Sequence, residues 1–121
     1  PLFLRFAAQA LTSTGYSVET ATDAREALRR FEKLRYETVI IDLLLGEMTG
    51  WEVVEAVRSQ DPAVGTILIS AVAEELDEAL ARARGFDLVL SKPVEADALR
   101  EAVAEVSRLR LARIATTAGE G

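Results

Sequence analysis

The chain contains neither cysteine nor histidine in its 121 residues. These two absences exclude disulfides, thiolate or imidazole catalysis and the usual zinc ligands. Any metal site must therefore use oxygen ligands, which suits Mg²⁺ or Ca²⁺. Apolar runs of membrane-spanning length are missing too, and the chain does not open with a basic region followed by an apolar one. We therefore expect a soluble, cytoplasmic protein that does not interact with membranes.

Positive charge is also scarce, since 14 Lys and Arg stand against 20 Asp and Glu and the net charge is −6. Direct nucleic-acid binding by this domain is not expected, because it requires clustered Lys and Arg that neutralise phosphates. Half of the residues are hydrophobic, which is enough for the core of one domain. We place that domain at residues 1–115 and a flexible C-terminal tail or linker at 116–121.

Alternating periodicities along the chain predict strands that take turns with helices. Apolar runs rich in β-branched residues predict buried strands at 38–42, 66–70 and 88–90, and an alternating stretch predicts another at 16–21. Apolar residues at helical spacing predict five helices with these inward positions: Leu4, Ala7, Ala8, Leu11; Ala24, Ala27, Leu28, Phe31; Val53, Ala56, Val57; Leu76, Ala79, Leu80, Ala83; and Leu99, Ala102, Val103, Val106. This order predicts an α/β fold with a mostly parallel sheet between two layers of helices.

Cap and turn signals set the limits of these helices. Two capping boxes predict helix starts, and two glycines and one proline predict helix ends. The capping boxes are Asp23 with Glu26 and Thr49 with Glu52. The glycines are Gly15 and Gly85, and the proline is the one in Asp61-Pro62.

Three successive predicted strands end in, or just before, a polar side chain: Asp42, Ser70 and Lys92. Parallel strands bring these ends to the same side of a sheet, where ligands of open α/β sheets bind. Polar residues often simply begin loops, which would explain any one of them alone. Together they predict a small anion site in which the carboxylate is the reacting group, because carboxylates form acyl phosphates.

With these three residues in this arrangement, the chain resembles the receiver domain of bacterial two-component response regulators. The resemblance covers Pro1 to about Val106 and is strong because the motifs occur together and in this order. They are Val39-Ile40-Ile41-Asp42, Met48-Thr49-Gly50, Ile67-Leu68-Ile69-Ser70-Ala71 and Lys92-Pro93. The resemblance implies a flavodoxin-like, doubly wound parallel sheet of five strands in the order 2-1-3-4-5.

The resemblance also implies the roles of the site residues. Asp42 would be the phosphoacceptor, Ser70 the hydroxyl that bonds the phosphoryl group, and Lys92 its counter-charge, with a cis peptide at Lys92-Pro93. Mg²⁺ would be held by Asp42, by the backbone carbonyl of Leu44 and by an acidic pair on the first strand. That strand and its acidic pair do not occur in this sequence, and we expect them just before Pro1 in the natural protein. The alternative is that another chain or the C-terminal segment takes the place of the missing strand.

The sequence also differs from the family pattern at residues that affect the conformational switch and the lifetime of the acyl phosphate. Val89 stands where the family has an aromatic residue that couples phosphorylation to the last two helices, and its own pattern favours a core position. Leu44 and Val72 would flank the site without orienting water, which predicts a long-lived acyl phosphate. Trp51 is expected to pack against the core.

These observations lead to a phosphoacceptor domain that receives its phosphoryl group from a histidine kinase or a histidine phosphotransfer protein, and not to an enzyme acting on external substrates. The alternative is a pseudo-receiver that binds proteins without being phosphorylated. A hydrolase with an aspartyl intermediate would need a second acid where Leu44 stands.

The resemblance further implies a possible homodimer through the last two helices. The final helix, with Leu109, Leu111 and Ile114 interleaved with arginines, either continues into a partner or output domain or ends as a solvated helix.

Overall fold

The computed structural model describes residues 2–42, 47–71 and 78–120. Its elements in chain order are α1 Leu2–Thr12, α2 Ala24–Leu34, β1 Thr38–Asp42, α3 Glu47–Gln60, β2 Gly65–Ser70, α4 Glu78–Ala83, β3 Leu88–Ser91 and α5 Ala96–Glu120. The three strands of the described residues form one parallel sheet in the order β1-β2-β3. Asp42 is paired in register with Ile69, and Ser70 with Ser91.

The central strand β2 separates two apolar cores because successive side chains of a strand point to opposite faces. Leu68 lies in one core with residues of α2, α3 and α4, and Ile67 and Ile69 lie in the other with residues of α1 and α5. The first core is centred on Phe31, Val53, Val54, Val57, Ala81 and Phe86, and the second on Ala7, Ala10, Leu11, Leu99, Ala102, Val103 and Val106. The prediction of a parallel sheet with helices on both faces is therefore confirmed.

Several predicted helix limits are confirmed by backbone geometry. The side chain of Asp23 accepts a hydrogen bond from the backbone N–H of Glu26 at 2.8 Å and caps α2. Gly15 and Gly85 follow α1 and α4 with φ of +106° and +123°, a region that L side chains rarely adopt. Helix α3 ends at Gln60, before Asp61-Pro62.

Two predictions about strands are wrong. Residues 16–21 form no strand, because a strand needs a hydrogen-bonded neighbour and none lies beside this segment within the described ranges. Strands β1 and β3 are also predicted to be buried, but Ile41 is the one buried residue of β1 and β3 has none, whereas β2 is buried throughout. The cause is their position in the sheet, because in the described part of the chain β1 and β3 each pair on one side only and β2 pairs on both.

Two predictions about helices are also wrong. Helix α3 begins at Glu47, so Thr49 lies inside its first turn and is not its cap. The inward residue of α4 is Ala81, which is fully buried, whereas Ala79, Leu80 and Ala83 are exposed. This helix has six described residues, so one small side chain suffices for its contact with the core. Leu76 lies outside the described residues.

Helix α5 is the longest element and passes beyond the sheet. Its predicted inward residues are buried, whereas Leu109, Leu111 and Ile114 are 37, 65 and 42% exposed. The helix runs to Glu120, over the residues for which a tail is predicted, and the domain limit at residue 115 stays a prediction. Within the described ranges, no helix combines the length and apolar character needed to cross a membrane.

Candidate functional site

The three predicted site residues lie at the carboxyl ends of the three strands. Asp42 ends β1, Ser70 ends β2, and Lys92 comes directly after β3. We call these three residues the carboxyl-end site. The Lys92 ammonium donates a hydrogen bond to Asp42 Oδ2 at 2.8 Å, and the backbone N–H of Lys92 donates to the carbonyl of Ser70 at 3.0 Å. The structure thus brings Asp42 and Lys92 into contact and places Ser70 on the strand between them.

The carboxyl-end site is polar and partly open to solvent. The side chains of Asp42 and Lys92 are 22 and 20% exposed, whereas Ser70 is 2% exposed. A carboxylate that accepts from an ammonium at this depth forms a charge-assisted hydrogen bond, stronger than one between neutral groups. An incoming anion can still reach the pair, and the peptide between Lys92 and Pro93 is cis, as the resemblance implied.

Phe3 is a neighbour of this site that sequence reasoning missed. The Lys92 ammonium lies 5.2 Å from the centroid of the Phe3 ring, which belongs to the first turn of α1. Nothing in the sequence pairs an aromatic residue with a lysine so far along the chain, and only the packing of α1 against α5 brings them together.

The described residues do not by themselves form a Mg²⁺ site. Mg²⁺ requires near-octahedral oxygen coordination, and the described part of the chain brings the carboxylate of Asp42 to the carboxyl-end site. Across residues 2–42, 47–71 and 78–120, no group of three or more acidic side chains converges. The predicted ligand Leu44 lies outside these ranges, as does Val72.

Val89 and Trp51 pack as the sequence predicted. Val89 lies against the core between the sheet and α3. The Trp51 ring packs edge-on against the Phe86 ring, with 5.6 Å between centroids. The Arg84 guanidinium lies over the Trp51 ring, 4.7 Å from its centroid.

A second charged group, which sequence reasoning also missed, lies at the opposite end of the sheet. We call it the amino-end cluster, and it consists of Arg58, Thr66, Asp87 and Arg113. Asp87 accepts a hydrogen bond from the Thr66 N–H at 3.0 Å and forms ion pairs with Arg113 and, at 3.5 Å, with Arg58. Arg58 also donates to Thr66 Oγ1 at 2.8 Å and to neighbouring carbonyls.

The electrostatics of this cluster follow from burial and from its partners. Burial alone would raise the pKa of Asp87, but the hydrogen bonds from Arg113 and Thr66 and the charges of Arg58 and Arg113 outweigh it and hold the pKa below its ordinary value. The same contact with Asp87 raises the pKa of Arg113.

Asp61 and Arg110 form a neighbouring pair at 2.8 Å that ties α5 to the end of α3. Burial acts to raise the pKa of Asp61, and the hydrogen bonds from Arg110 and from the Ala63 N–H lower it by more. Two of the arginines that sequence reasoning placed among exposed apolar residues therefore hold α5 against the domain.

Comparison with known proteins identifies the family. The model of the response regulator receiver domain matches residues 1–104. The transcriptional regulatory protein GlrR of Escherichia coli K12 is 34% identical over 103 residues, covering 85% of this chain and 23% of that protein. The regulatory protein PhoP of Bacillus subtilis is 32% identical over 111 residues, covering 91% and 45%. The chain thus spans less than half the length of these curated relatives.

Solved structures agree with this match. A CheY-like receiver domain protein from Methanospirillum hungatei superposes with a TM-score of 0.83 at 26% identity, covering 93% of this chain and 90% of that one. CheY4 of Vibrio cholerae superposes with a TM-score of 0.77 at 30% identity, covering 87% and 89%. The fold is therefore the flavodoxin-like α/β fold that the resemblance implied, and the chain belongs to the family of response regulator receiver domains of two-component systems.

Proposed function

We propose that this receiver domain accepts a phosphoryl group on Asp42 from a histidine kinase or a histidine phosphotransfer protein. The observation that supports the proposal is the 2.8 Å contact between Asp42 Oδ2 and the Lys92 ammonium beside Ser70, at the carboxyl ends of parallel strands. In this arrangement a nucleophile, a positive charge and a hydroxyl donor share one partly open site.

The proposed step is an in-line transfer between two anions. A carboxylate oxygen of Asp42 forms a bond to phosphorus, the bond from phosphorus to the donor's imidazole nitrogen breaks, and that nitrogen keeps the electron pair. Lys92 compensates the negative charge that gathers on the phosphoryl oxygens, and the Ser70 hydroxyl donates to one of them. Mg²⁺, the cofactor that the resemblance implies, would need oxygen ligands in addition to Asp42.

Receiver domains generally signal without acting on external substrates, and we propose the same for this chain, with slow autodephosphorylation as its one hydrolytic activity. A long-lived acyl phosphate is expected because neither Leu44 nor Val72 can orient water. The half-life of the purified phosphoprotein tests this, and a half-life of seconds would contradict it.

A pseudo-receiver that binds proteins without phosphorylation is the second candidate. The specific observation in its favour is that the described residues bring together no group of three or more acidic side chains that could hold a metal ion. The two candidates differ in whether Asp42 ever becomes modified.

The deciding experiment incubates the chain, in its full-length natural context, with a small phosphodonor in the presence and absence of Mg²⁺, and follows intact mass. Phosphorylation of the wild type that disappears in Asp42→Asn supports the proposal. Asp97→Asn is the matched control, because that side chain is 87% exposed and lies on α5. An unmodified wild type under all conditions would favour the pseudo-receiver.

Lys92 allows a second, independent test because the chain has only one other lysine, Lys33. We expect Lys92→Met to slow phosphorylation by about 10²-fold, a size typical of losing one donor at developing negative charge. Lys33→Met removes the same charge elsewhere and should leave the rate unchanged. Equal phosphorylation rates for the two variants would contradict the proposed role of Lys92.

We also propose a cytoplasmic location and a homodimer formed through α4 and α5. The exposure of Leu80 on α4 and of Leu111 on α5 supports such a surface. Light scattering before and after phosphorylation tests the dimer, and a monomer in both states would contradict it.

A further inference from the structure

We infer that Phe3 is a positioning residue for the carboxyl-end site and that it acts by holding the Lys92 ammonium against its ring face. The inference rests on the proposed function in one respect only, namely that the position of Lys92 matters for phosphorylation of Asp42. The contact between Phe3 and Lys92 is itself a feature of the fold and can be tested without phosphorylation.

The geometry gives the Lys92 ammonium two fixed neighbours. Asp42 Oδ2 lies 2.8 Å from Nζ, and the centroid of the Phe3 ring lies 5.2 Å from it. A cation within about 6 Å of a ring centroid is attracted by the negative face of the ring. The attraction increases with desolvation, and the Lys92 side chain is only 20% exposed.

Phe3 is itself held in place. Its side chain is partly buried against the core formed by α1 and α5, and its ring is tilted by 47° against that of Phe6 at 6.2 Å between centroids. The ring therefore provides a fixed surface, whereas the lysine stem is flexible and its ammonium is a compact point charge.

This fixed surface has a consequence when Asp42 changes charge and shape on phosphorylation. Lys92 must then leave a carboxylate oxygen and follow a phosphoryl oxygen, and its contact with Asp42 no longer determines where the ammonium lies. The Phe3 ring does not change in this step. It keeps the ammonium near the site in both states, which lowers the conformational freedom that Lys92 has to lose during transfer.

The simpler role for Phe3 is to pack against the methylene groups of Lys92, as apolar surfaces commonly do with long charged side chains. The two roles differ in their dependence on the charge distribution of the ring. Stepwise fluorination weakens the negative ring face progressively and changes the volume little, so it separates attraction from packing.

The experiment replaces Phe3 with mono-, di- and trifluorophenylalanine, and also with Tyr and Leu, in the full chain. The first readout is the order parameter of the Lys92 ammonium by nitrogen NMR, which is readily assigned because Lys33→Arg removes the other lysine signal. The second is the rate of Asp42 phosphorylation by a small phosphodonor. The same fluorinated residues at Phe86 are the matched control, because that ring lies in the other core and none of the cation–ring contacts within the described ranges involves it.

We expect the order of the Lys92 ammonium and the rate to fall with each added fluorine, to stay within about twofold of wild type in Phe3→Tyr, and to fall about three- to tenfold in rate in Phe3→Leu. Fluorination at Phe86 should change neither. A flat response to fluorination at Phe3 would reduce the residue to packing and overturn the inference. If the wild type is not phosphorylated at all, the proposed function fails, and the order parameter alone still decides whether Phe3 holds Lys92.

Discussion

The two ends of the sheet carry buried or partly buried carboxylates that are held in different ways. At the carboxyl-end site, Asp42 accepts a hydrogen bond from Lys92 at 2.8 Å, and each side chain is about one fifth exposed. In the amino-end cluster, Asp87 is 7% exposed and is held by Arg58, Arg113 and the Thr66 N–H together. One carboxylate is accessible to a reactant, and the other is enclosed by its partners.

This difference indicates a division of roles within one small sheet. A carboxylate that must react needs an approach from solvent and a partner that can change its contact, which a single lysine provides. A carboxylate that holds elements together gains from several rigid donors, and arginine offers these in a planar fork. We therefore expect substitutions at the amino end to change stability, and those at the carboxyl end to change phosphorylation.

The largest effect is expected from Asp87→Asn. Removing this charge leaves two guanidinium groups, those of Arg58 and Arg113, without their carboxylate, and we expect the free energy of unfolding to fall by about 3 kcal/mol. Urea unfolding followed by fluorescence of Trp51, the single tryptophan, measures it. Asp42→Asn is the comparison, and its cost should stay below about 1 kcal/mol because its pair is partly exposed. Equal losses at the two positions would remove the proposed division of roles.

Gly65, at the start of β2 and next to the amino-end cluster, is expected to give the second largest effect. A Cβ on Gly65 would lie 3.0 Å from Cβ and Cγ2 of Val106 and 3.3 Å from Thr38 Oγ1. Because α5 crosses so close to the strand, Gly65→Ala should cost about 2 kcal/mol through overpacking, with phosphorylation unchanged. The double variant with Val106→Ala tests the cause: it should cost less than the sum of the two single changes. Additive losses would point to another origin.

The strands and the carboxyl-end site could be predicted because they depend on local patterns. A run such as Val39-Ile40-Ile41 has few alternatives to a strand, and parallel topology then brings Asp42, Ser70 and Lys92 to one end of the sheet. The contact between Asp42 and Lys92 needed no information beyond this order of elements.

The amino-end cluster could not be predicted, because its members carry no shared pattern. Asp87 and Arg113 are 26 positions apart, and an arginine near the end of a helix normally lies in solvent. The wrong strand at 16–21 and the wrong face of α4 have a related cause. Alternation and helical spacing describe which side chains could face a core, but the neighbouring elements decide whether a core is present there.

Lowering the pH should moderately reduce the free energy of unfolding, through the carboxylates in and beside the amino-end cluster. The pKa values of Asp87 and Asp61 are lower in the folded chain than in the unfolded one, so the stability they contribute is fully present above the ordinary aspartate pKa of about 3.9. It is lost as the pH falls further, through the folded pKa values. Urea unfolding at a series of pH values measures it. The pH dependence should be shallower in Asp61→Asn, and an unchanged slope would contradict the assignment.

The smallest effect is expected from the contact between Arg110 and Asp61, which lies beside the amino-end cluster but is more exposed. The two side chains are 19 and 21% exposed, so Arg110→Gln should cost about 0.5 to 1 kcal/mol, and less at high salt, because solvent screens such pairs. Arg108→Gln is the matched control. It removes the same charge from α5 at an exposed position that forms no ion pair within the described ranges.

The effect of Arg110→Gln should also be local, seen as faster amide exchange in the last turns of α5 with no change around Asp42. If Arg108→Gln cost as much as Arg110→Gln, the net charge of the helix would matter more than its contact with Asp61, and the amino end would be held by Asp87 alone.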